Sequence, residues 1–250
     1  MSALSIDIRE KVFANGLCAI RDLQFTTHDQ QFTAIVGPSG AGKSTLLNLI
    51  AGLDRDFSGS LARSDEQPPL GFMFQEARLL PWLTVQQNIE LVISGLPSSQ
   101  QPGALARIPT LLDEVGLQGM SGLFPGQLSI GMQRRVSLVR AFVIRPGLLL
   151  MDEPFQSLDE PTAEQLRELL LKLWNETRTS VLFVTHNLRE ALALADRILF
   201  LSARPARVIL DYKVHGERPR TLHDPAVNRL HDELVQQHPE LLSGSSRGHA

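Results

Sequence analysis

Short apolar runs alternate with longer amphipathic stretches along much of the chain. Residues 32–36 form an apolar, β-branched run that stops at a glycine, and residues 44–51 carry leucines at helical spacing. Further short apolar runs occupy residues 148–151, 181–184 and 198–201. Short apolar runs bounded by turn residues are typical of buried strands. Because helical stretches separate these runs, the pattern predicts a mostly parallel α/β sheet.

The region from residue 76 to residue 144 has a different pattern. Its apolar positions follow helical spacing, five prolines interrupt it, and no strand is predicted within it. We interpret it as a helical subdomain inserted between two parts of a catalytic core, residues 1–75 and 145–205. A further helix is predicted at residues 161–174, because proline is tolerated in a first helical turn. Residues 206–250 are predicted to form a polar tail of the same single domain, with a disordered end.

Composition narrows the possible functions. The 250-residue chain has 24 basic and 27 acidic residues and a net charge of -3, so no nucleic-acid partner is expected. Cys18 is the only cysteine, which excludes an internal disulfide and a zinc site built from cysteines. The apolar runs are far shorter than the roughly 18 residues that a membrane helix needs. Any membrane role is therefore expected to come through a partner.

The clearest chemical motif follows the first predicted strand. Residues 37–44 read Gly-Pro-Ser-Gly-Ala-Gly-Lys-Ser and match the phosphate-binding pattern G-x-x-x-x-G-K-[ST]. The glycines let backbone N–H groups face phosphate oxygens, and the next helix presents its positive end. Lys43 is predicted to reach the β- and γ-phosphates, and Ser44 to bind Mg²⁺. The alternative is a glycine-rich turn that binds nothing, which the strand–loop–helix context disfavours.

Two acidic residues follow the apolar run at residues 148–151. Ligands of parallel α/β sheets bind at the carboxyl ends of strands, so Asp152 is predicted to lie near Mg²⁺. Glu153 is the candidate general base that polarises the water attacking the γ-phosphate. Two acids at this position would otherwise be interpreted as a helix cap. The phosphate-binding motif in the same chain favours the catalytic interpretation.

Over about residues 6–210, the chain resembles the ATP-binding subunits of ABC transporters. Residues 128–132, Leu-Ser-Ile-Gly-Met, resemble the signature motif of that family. The resemblance implies an α/β fold: a P-loop NTPase (RecA-like) core with a mostly parallel sheet, an N-terminal antiparallel β-subdomain and an inserted helical subdomain. It also implies that Ser129 and Gly131 contact ATP held by the partner subunit of a head-to-tail dimer. Ile130 replaces the usual glycine and would weaken closure if positive φ were required there.

Further single residues gain roles only through this resemblance. Gln75 resembles the glutamine that senses Mg²⁺ and the attacking water. His186 resembles the switch histidine that contacts the γ-phosphate and supports Glu153. Phe13 is placed to stack on adenine, with burial in the core as the alternative. Residues 157–159 resemble the loop that crosses the dimer interface, although Asp159 alone would be interpreted as a helix cap.

The predicted site is the following set. The residues predicted to contact ATP are Phe13, Gly37, Pro38, Ser39, Gly40, Ala41, Gly42, Lys43, Ser44, Thr45, Ser129 and Gly131. The predicted catalytic residues are Lys43, Gln75, Glu153 and His186, and the predicted metal ligands are Ser44, Gln75 and Asp152. ATP and Mg²⁺ are the implied cofactors.

The resemblance implies an ATPase that powers solute uptake as a homodimer or as a dimer with a related subunit. Its partners would be a separate membrane permease and, through it, a solute-binding protein, at the cytoplasmic face of the inner membrane. Residues 79–85 are the expected permease contact, with Trp82 in the helical core as the alternative. Residues 74–82 and 201–205 resemble the nitrate, sulfonate and taurine importers.

Three other functions remain open at this point. A permease-independent ABC ATPase would usually carry a coiled coil, a second ATPase domain or basic segments, and none is visible in the sequence. A degenerate, non-hydrolysing subunit is suggested only by Ile130. A small-molecule kinase would not need the element at residues 128–132.

Overall fold

The computed structural model describes residues 2–63, 69–216 and 218–238. The strands are β1 (Ser2–Val12), β2 (Cys18–His28), β3 (Phe32–Val36), β4 (Ser58–Arg63), β5 (Leu70–Met73), β6 (Leu148–Asp152), β7 (Ser180–Thr185), β8 (Arg197–Leu201) and β9 (Val208–Lys213). The α-helices are α1 (Lys43–Ile50), α2 (Val85–Ile93), α3 (Gln101–Glu114), α4 (Ile130–Phe142), α5 (Glu160–Thr177), α6 (Leu188–Leu194) and α7 (Pro225–Gln237). Two compact units divide the chain: residues 1–67 with 180–250, and residues 68–179.

The first unit begins with a three-stranded antiparallel sheet in the order β2-β1-β4. Strand β1 alternates between its two faces, and Leu4, Ile6 and Ile8 on one face are buried. Such a period of two is typical of a sheet with one face on the core. The N-terminal antiparallel β-subdomain is therefore confirmed.

A second sheet of the first unit contains the strands β7-β3-β8-β9 in that order. The first three are parallel, and every residue of β3 and β7 is buried. Strands covered on both faces read as continuous apolar runs, which is why the sequence pattern identified them. The mostly parallel α/β architecture is confirmed.

The region after residue 205 contains structure that the sequence analysis missed. Strand β9 pairs antiparallel with β8, with Leu199 opposite Asp211, and α7 packs on α6. Asp224 caps α7 by accepting a hydrogen bond from the N–H of Ala226 at 2.8 Å. The polar "tail" is thus folded over these elements. Its last residues, for which disorder was predicted, lie outside the described part of the chain.

The second unit contains the parallel pair β5–β6 and the helices α2 to α5. Residues 76–144 are all described, and they form α2, α3, α4 and a short 3-10 turn at Pro125–Gln127, with no strand. The inserted helical subdomain of the predicted fold class is therefore confirmed, and its bounds as a separate subdomain stay a prediction. No α-helix among the described residues combines the length and apolar character that a membrane crossing requires.

Helix α4 fixes the segment that follows β5 through two buried arginines. Arg134 donates from Nη1 to the carbonyl of Phe74 at 2.9 Å. Arg140 donates to the carbonyls of Ala77 and Arg78 at 2.7 and 2.9 Å. Burial lowers the pKa of both guanidinium groups, which nonetheless satisfy backbone acceptors of the segment. The position of residues 74–78 therefore depends on α4.

Replacing Arg140 tests this dependence. Arg140→Met keeps a long, unbranched side chain but removes the guanidinium group, so the carbonyls of Ala77 and Arg78 lose their donors. We expect the free energy of unfolding, measured with urea, to fall by about 2 kcal/mol. Arg229→Met, at an exposed position of α7, is the matched control and should change it by less than about 0.5 kcal/mol. Equal stability of the two variants would contradict the proposed dependence.

Candidate functional site

The phosphate-binding motif forms the loop between β3 and α1. Gly40 and Gly42 both have left-handed backbones, with φ of 76° and 102°. A Cβ on Gly42 would lie 3.1 Å from the carbonyl oxygen of Ala19 in β2. The φ of residue 42 therefore favours glycine, and a side chain there would also crowd the carbonyl of Ala19 in β2.

Lys43 lies at the start of α1 with its ammonium group inside this loop. It is buried, and Nζ donates to the carbonyls of Gly37 and Pro38 at 2.9 and 3.0 Å. Ser44 is exposed and Thr45 is half-buried in the same first turn. The helix N-terminus and Lys43 thus place positive charge at one loop, as phosphate binding requires.

Arg204 contacts this loop, although the sequence predicted no role for Arg204 in the site. It lies in the loop after β8 and donates to the carbonyl of Gly40 from Nε at 2.9 Å and from Nη2 at 2.5 Å. Ser202 holds the same loop by donating to the carbonyl of Pro205 and accepting from the N–H of Arg207. Residues 201–205 had been singled out only as a family resemblance. A bond to a backbone carbonyl distant in sequence leaves no sequence pattern.

His186 belongs to the same unit as the loop. Strands β3 and β7 are parallel neighbours with Val36 opposite Thr185, so Gly37 and His186 follow paired positions. The side chain of His186 is exposed. The structure therefore brings His186 to the sheet edge from which the phosphate-binding loop starts.

Phe13 follows β1 at the surface of the first unit. Its side chain is 37% exposed, and the Lys11 ammonium lies 5.3 Å from the ring centroid. The alternative of a buried core residue is therefore wrong. Stacking on adenine stays a prediction.

In the second unit, Gln75 and the two acids meet at one sheet edge. Met73 lies opposite Met151 in the parallel pair β5–β6, so residues 74–75 and 152–153 follow paired positions. Gln75 donates a hydrogen bond to Gln156, which lies just beyond the acids. The Asp152 side chain at the end of β6 is buried. The arrangement agrees with the predicted roles of Gln75, Asp152 and Glu153 without testing them.

Glu153 has an unusual backbone conformation. Its φ is 42° and that of Ser157 is 64°, in the left-handed region that favours glycine. Such conformations cost roughly 1–3 kcal/mol and cluster at functional sites. The extended backbone of β6 therefore ends at Asp152, and Glu153 begins a turn.

The signature segment begins α4. Ser129 is the N-cap residue and its Oγ accepts from the N–H of Met132 at 3.2 Å. Ile130 lies in the first helical turn, has no positive φ, and is 62% exposed. The backbone strain considered for Ile130 therefore does not arise.

Gly131 has a steric role in the same helical turn. A Cβ at this position would lie 2.6 Å from Cγ2 of Thr162, in the first turn of α5. Within this part of the second unit, glycine is therefore needed at 131 to let α4 and α5 approach. Asp159 occupies the N-cap position of α5 but makes no capping hydrogen bond with its side chain.

Comparison with known proteins identifies the family. A family model described as ABC transporter matches residues 20–156, more than half of the chain. The chain is 35% identical to the aliphatic sulfonates import ATP-binding protein SsuB of Bacillus licheniformis, with 94% of each chain covered. It is 38% identical to a protein named SsuB 2 of Pseudomonas syringae pv. tomato, covering 94% of this chain and 97% of that one.

Solved structures agree with the sequence comparison. A dimeric ATP-binding cassette in a post-hydrolysis state bound to ADP and Pi has a TM-score of 0.71 and 27% identity, covering 86% of this chain and 100% of that one. A second dimeric structure of the same cassette, described as a bacterial ABC transporter cassette, has a TM-score of 0.72 and 28% identity, covering 86% of this chain and 100% of that one. The chain therefore belongs to the ABC transporter family and has the fold of its ATP-binding cassettes.

The Arg204 contact predicts an effect on nucleotide affinity. In Arg204→Ala, the Gly40 carbonyl loses both donors, and we expect ATP to bind about five- to tenfold more weakly. Arg204→Lys keeps one donor and should recover part of the affinity. Titration of each purified variant with a fluorescent ATP analogue measures the change.

Arg207→Ala is the control for Arg204, because it removes an arginine from the same loop. Among the described residues, the Arg207 side chain pairs with exposed Asp22 at 3.4 Å, and this ion pair should contribute little. Unchanged affinity in Arg204→Ala, or equal losses in both variants, would show that the Gly40 contact does not shape the loop.

The packing of Gly131 predicts a rescue by a second mutation. Alanine normally stabilises a helix relative to glycine, but Gly131→Ala should lower the free energy of unfolding by about 1–3 kcal/mol through the clash with Thr162. Thr162→Ser removes the clashing methyl group, so the double variant should regain most of that stability. Urea unfolding of both single variants and the double variant measures this coupling.

Gly126→Ala is the control for Gly131, because a Cβ on Gly126 would meet no atom within 4 Å. This variant should be close to neutral. If Gly131→Ala is equally neutral, or if Thr162→Ser restores nothing, the steric explanation is wrong.

Proposed function

We propose that this chain binds and hydrolyses ATP and thereby powers the uptake of a small solute through a separate membrane permease. The observation that carries the proposal is the loop at residues 37–44, with buried Lys43 at the N-terminus of α1. Family membership supports the ATPase activity, and relatives named as import proteins support the direction of transport. Their names also favour a sulfonate-like solute.

Different residues of the chain would bind the phosphates, orient the attacking water and contact the adenine. Backbone N–H groups of residues 39–45 and the Lys43 ammonium would bind the phosphates and offset their negative charge. Glu153 would accept a hydrogen bond from the attacking water and orient it towards the γ-phosphate. His186 and Gln75 would hold the γ-phosphate and the water in place. Phe13 would stack on adenine, which adds affinity without selecting the base.

A magnesium ion suits the donors that the chain offers. Ser44, Gln75 and Asp152 supply hydroxyl, amide and carboxylate oxygens, which are hard ligands of the kind that Mg²⁺ prefers. Among the described residues, no cluster of three or more His, Cys, Asp or Glu side chains could hold a metal alone. Sites that bind Mg²⁺ together with nucleotide phosphates do not need such a cluster. Bound there, the ion would neutralise charge on the phosphates.

A dimer would complete the proposed site. Ser129 and Ile130 are exposed at the N-terminus of α4, where backbone N–H groups favour an anion. The similar solved cassettes are dimeric. We therefore propose that Ser129 and Gly131 contact the ATP held by a partner subunit, either a second copy or a related chain.

The second unit also has a surface that suits the permease. Trp82 is 69% exposed, so the alternative that it lies in the helical core is wrong. Phe72 and Phe74 stack in the same unit and line a groove of about 500 Å³ together with exposed Leu91. An exposed tryptophan and an apolar groove are both typical of a surface that binds a partner. We propose that it binds the permease at the cytoplasmic face of the inner membrane, and that a solute-binding protein acts through the permease.

The degenerate, non-hydrolysing alternative loses its main support. It depended on Ile130, which has an ordinary helical backbone between Ser129 and Gly131. No observation favours a permease-independent role over transport.

Glu153→Gln tests the hydrolytic function. We expect the Mg²⁺-dependent ATPase rate to fall by about 10²- to 10⁴-fold, because glutamine cannot act as a base. ATP affinity should be kept, and ATP should convert the variant to a stable dimer in size-exclusion chromatography. Glu168→Gln, at an exposed position of α5, is the matched control and should hydrolyse ATP at the wild-type rate.

Lys43→Ala tests ATP binding, in contrast to Glu153→Gln, which tests hydrolysis alone. It should lose ATP affinity as well as activity, because the ammonium group at the phosphates is gone. Wild-type turnover by Glu153→Gln would refute the assignment of the base. A Glu153→Gln variant that stays monomeric with saturating ATP would refute the dimer.

A further inference from the structure

A cleft of about 610 Å³ lies in the second unit, and its lining is separate from the residues predicted to contact ATP. Helix α3, the loop between α4 and β6, and the C-terminal end of α5 form its walls. Its volume lies in the range of small-molecule sites. Five charged side chains line it: Arg107, Glu114, Arg145, Glu176 and Arg178.

Three of the charged groups gather around the loop between α4 and β6. Arg107 donates to the carbonyl of Val143 in this loop from Nε at 3.2 Å and from Nη2 at 2.5 Å. Arg145 belongs to the loop itself. Thr179 donates from Oγ1 to the carbonyl of Pro146 at 3.0 Å. The adjacent Arg178 also lines the cleft, with its guanidinium 5.9 Å from the Trp174 ring centroid. One end of the cleft is therefore cationic.

These arginines lack acidic partners. Within the described parts of the chain, none of the three forms an ion pair with a carboxylate. Burial and the nearby charge of Arg145 lower the pKa of Arg107, as expected for neighbouring cations. Guanidinium groups gathered without a counter-ion favour an anionic ligand.

Two of the arginines also occupy strained positions. Arg145 and Arg178 have φ of 47° and 53°, in the left-handed region where chains usually place glycine. A residue with a side chain has a higher conformational energy than glycine in this region. At Arg178 this conformation ends α5, because Arg178 is the C-cap residue and its N–H donates to the carbonyl of Trp174.

A carboxylate, that of Glu114, lies at the C-terminal end of α3. Arg107, Thr110, Leu111 and Glu114 follow the spacing i, i+3, i+4, i+7 and share one face of the helix. Seven residues separate Arg107 from Glu114, about 10 Å along the helix axis. Oε2 of Glu114 is buried, and no donor among the described residues reaches it. The Glu114 side chain as a whole is half-buried and lines the cleft, so its carboxylate supplies a negative charge there for a ligand ammonium.

Apolar side chains lie between the two charged ends. Leu111, Phe142 and Leu173 line the cleft and are buried. They offer contact to methylene groups rather than to further charges. Along α3, the cleft thus presents Arg107, Leu111 and Glu114 in that order, and Glu176 on α5 is exposed.

We propose that this cleft binds a small zwitterion, an ω-amino acid or a comparable aminoalkyl anion. Its anionic group would meet Arg107, Arg145 and Arg178, its methylene chain would cover Leu111, and its ammonium group would pair with Glu114. The site is independent of ATP hydrolysis and goes beyond the proposed transport function.

Calorimetric titration with 6-aminohexanoate tests the proposal. The protein is first saturated with Mg²⁺-ADP, so that the loop at residues 37–44 does not bind the probe. Hexanoate and hexylamine each lack one of the two charges. We expect both to bind at least about tenfold more weakly than 6-aminohexanoate, since each loses one charged contact.

Matched variants locate the binding site. Arg145→Gln combined with Arg178→Gln, and separately Glu114→Gln, should each weaken 6-aminohexanoate binding by about tenfold or more. Arg9→Gln combined with Arg229→Gln is the control for the double arginine variant. It makes the same change in net charge at exposed positions elsewhere and should leave affinity unchanged. Unfolding midpoints confirm that each variant is folded.

Several results would overturn the proposal. The absence of binding heat from 6-aminohexanoate at millimolar concentration would show that the cleft does not take this ligand. Equal affinity for hexanoate would remove the role of Glu114. Equal weakening in the Arg9 and Arg229 control would show that only net charge matters. None of these results depends on whether the chain hydrolyses ATP.

Discussion

The close approach of backbones around residues 40–42 is the constraint on which the first unit depends. The loop after β3 turns with two left-handed glycines and passes near the carbonyl of Ala19, so a side chain at residue 42 would be strained by its φ and crowded by that carbonyl. Strand β2, the start of α1 and the loop after β8 all meet it there. Rigid surroundings on several sides let a loop without regular structure keep its N–H groups in a fixed arrangement before any phosphate binds.

Both units hold their irregular segments in the same way, by guanidinium groups that donate to backbone carbonyls. Arg204 binds the carbonyl of Gly40, and Arg134 and Arg140 bind carbonyls of residues 74–78. A loop carbonyl has no partner in a strand or helix ladder and must find another donor. A planar guanidinium offers several N–H groups in a rigid fork, so one arginine can fix a turn that no secondary structure supports. Gln75 thus takes its position from α4 as much as from β5.

Much of the fold could be predicted from the sequence because its central strands are buried on both faces. The runs that became β3, β6, β7 and β8 needed no alternation to be recognised. Strand β9 is partly exposed and reads Val-Ile-Leu-Asp-Tyr-Lys, so it resembled a polar tail. Motif spacing identified Lys43, Asp152 and Glu153, whereas Arg204 acts through a contact with a residue far away in the sequence. The exposure of Phe13 and Trp82 likewise follows from packing, which spacing does not encode.

The signature segment shows why a glycine's role has to be taken from its own surroundings. Gly131 and the usual glycine replaced by Ile130 are adjacent, yet only one of these positions is sterically closed. At residue 131 the first turns of α4 and α5 leave no space for a Cβ, while the side chain of residue 130 points to solvent from an ordinary helical backbone. Isoleucine therefore costs little at 130 in this fold, beyond its slightly lower helix propensity. What it changes is the exposed surface beside Ser129, which becomes apolar and bulky. Any effect of Ile130 on activity must then come from what this surface meets, rather than from strain within the chain.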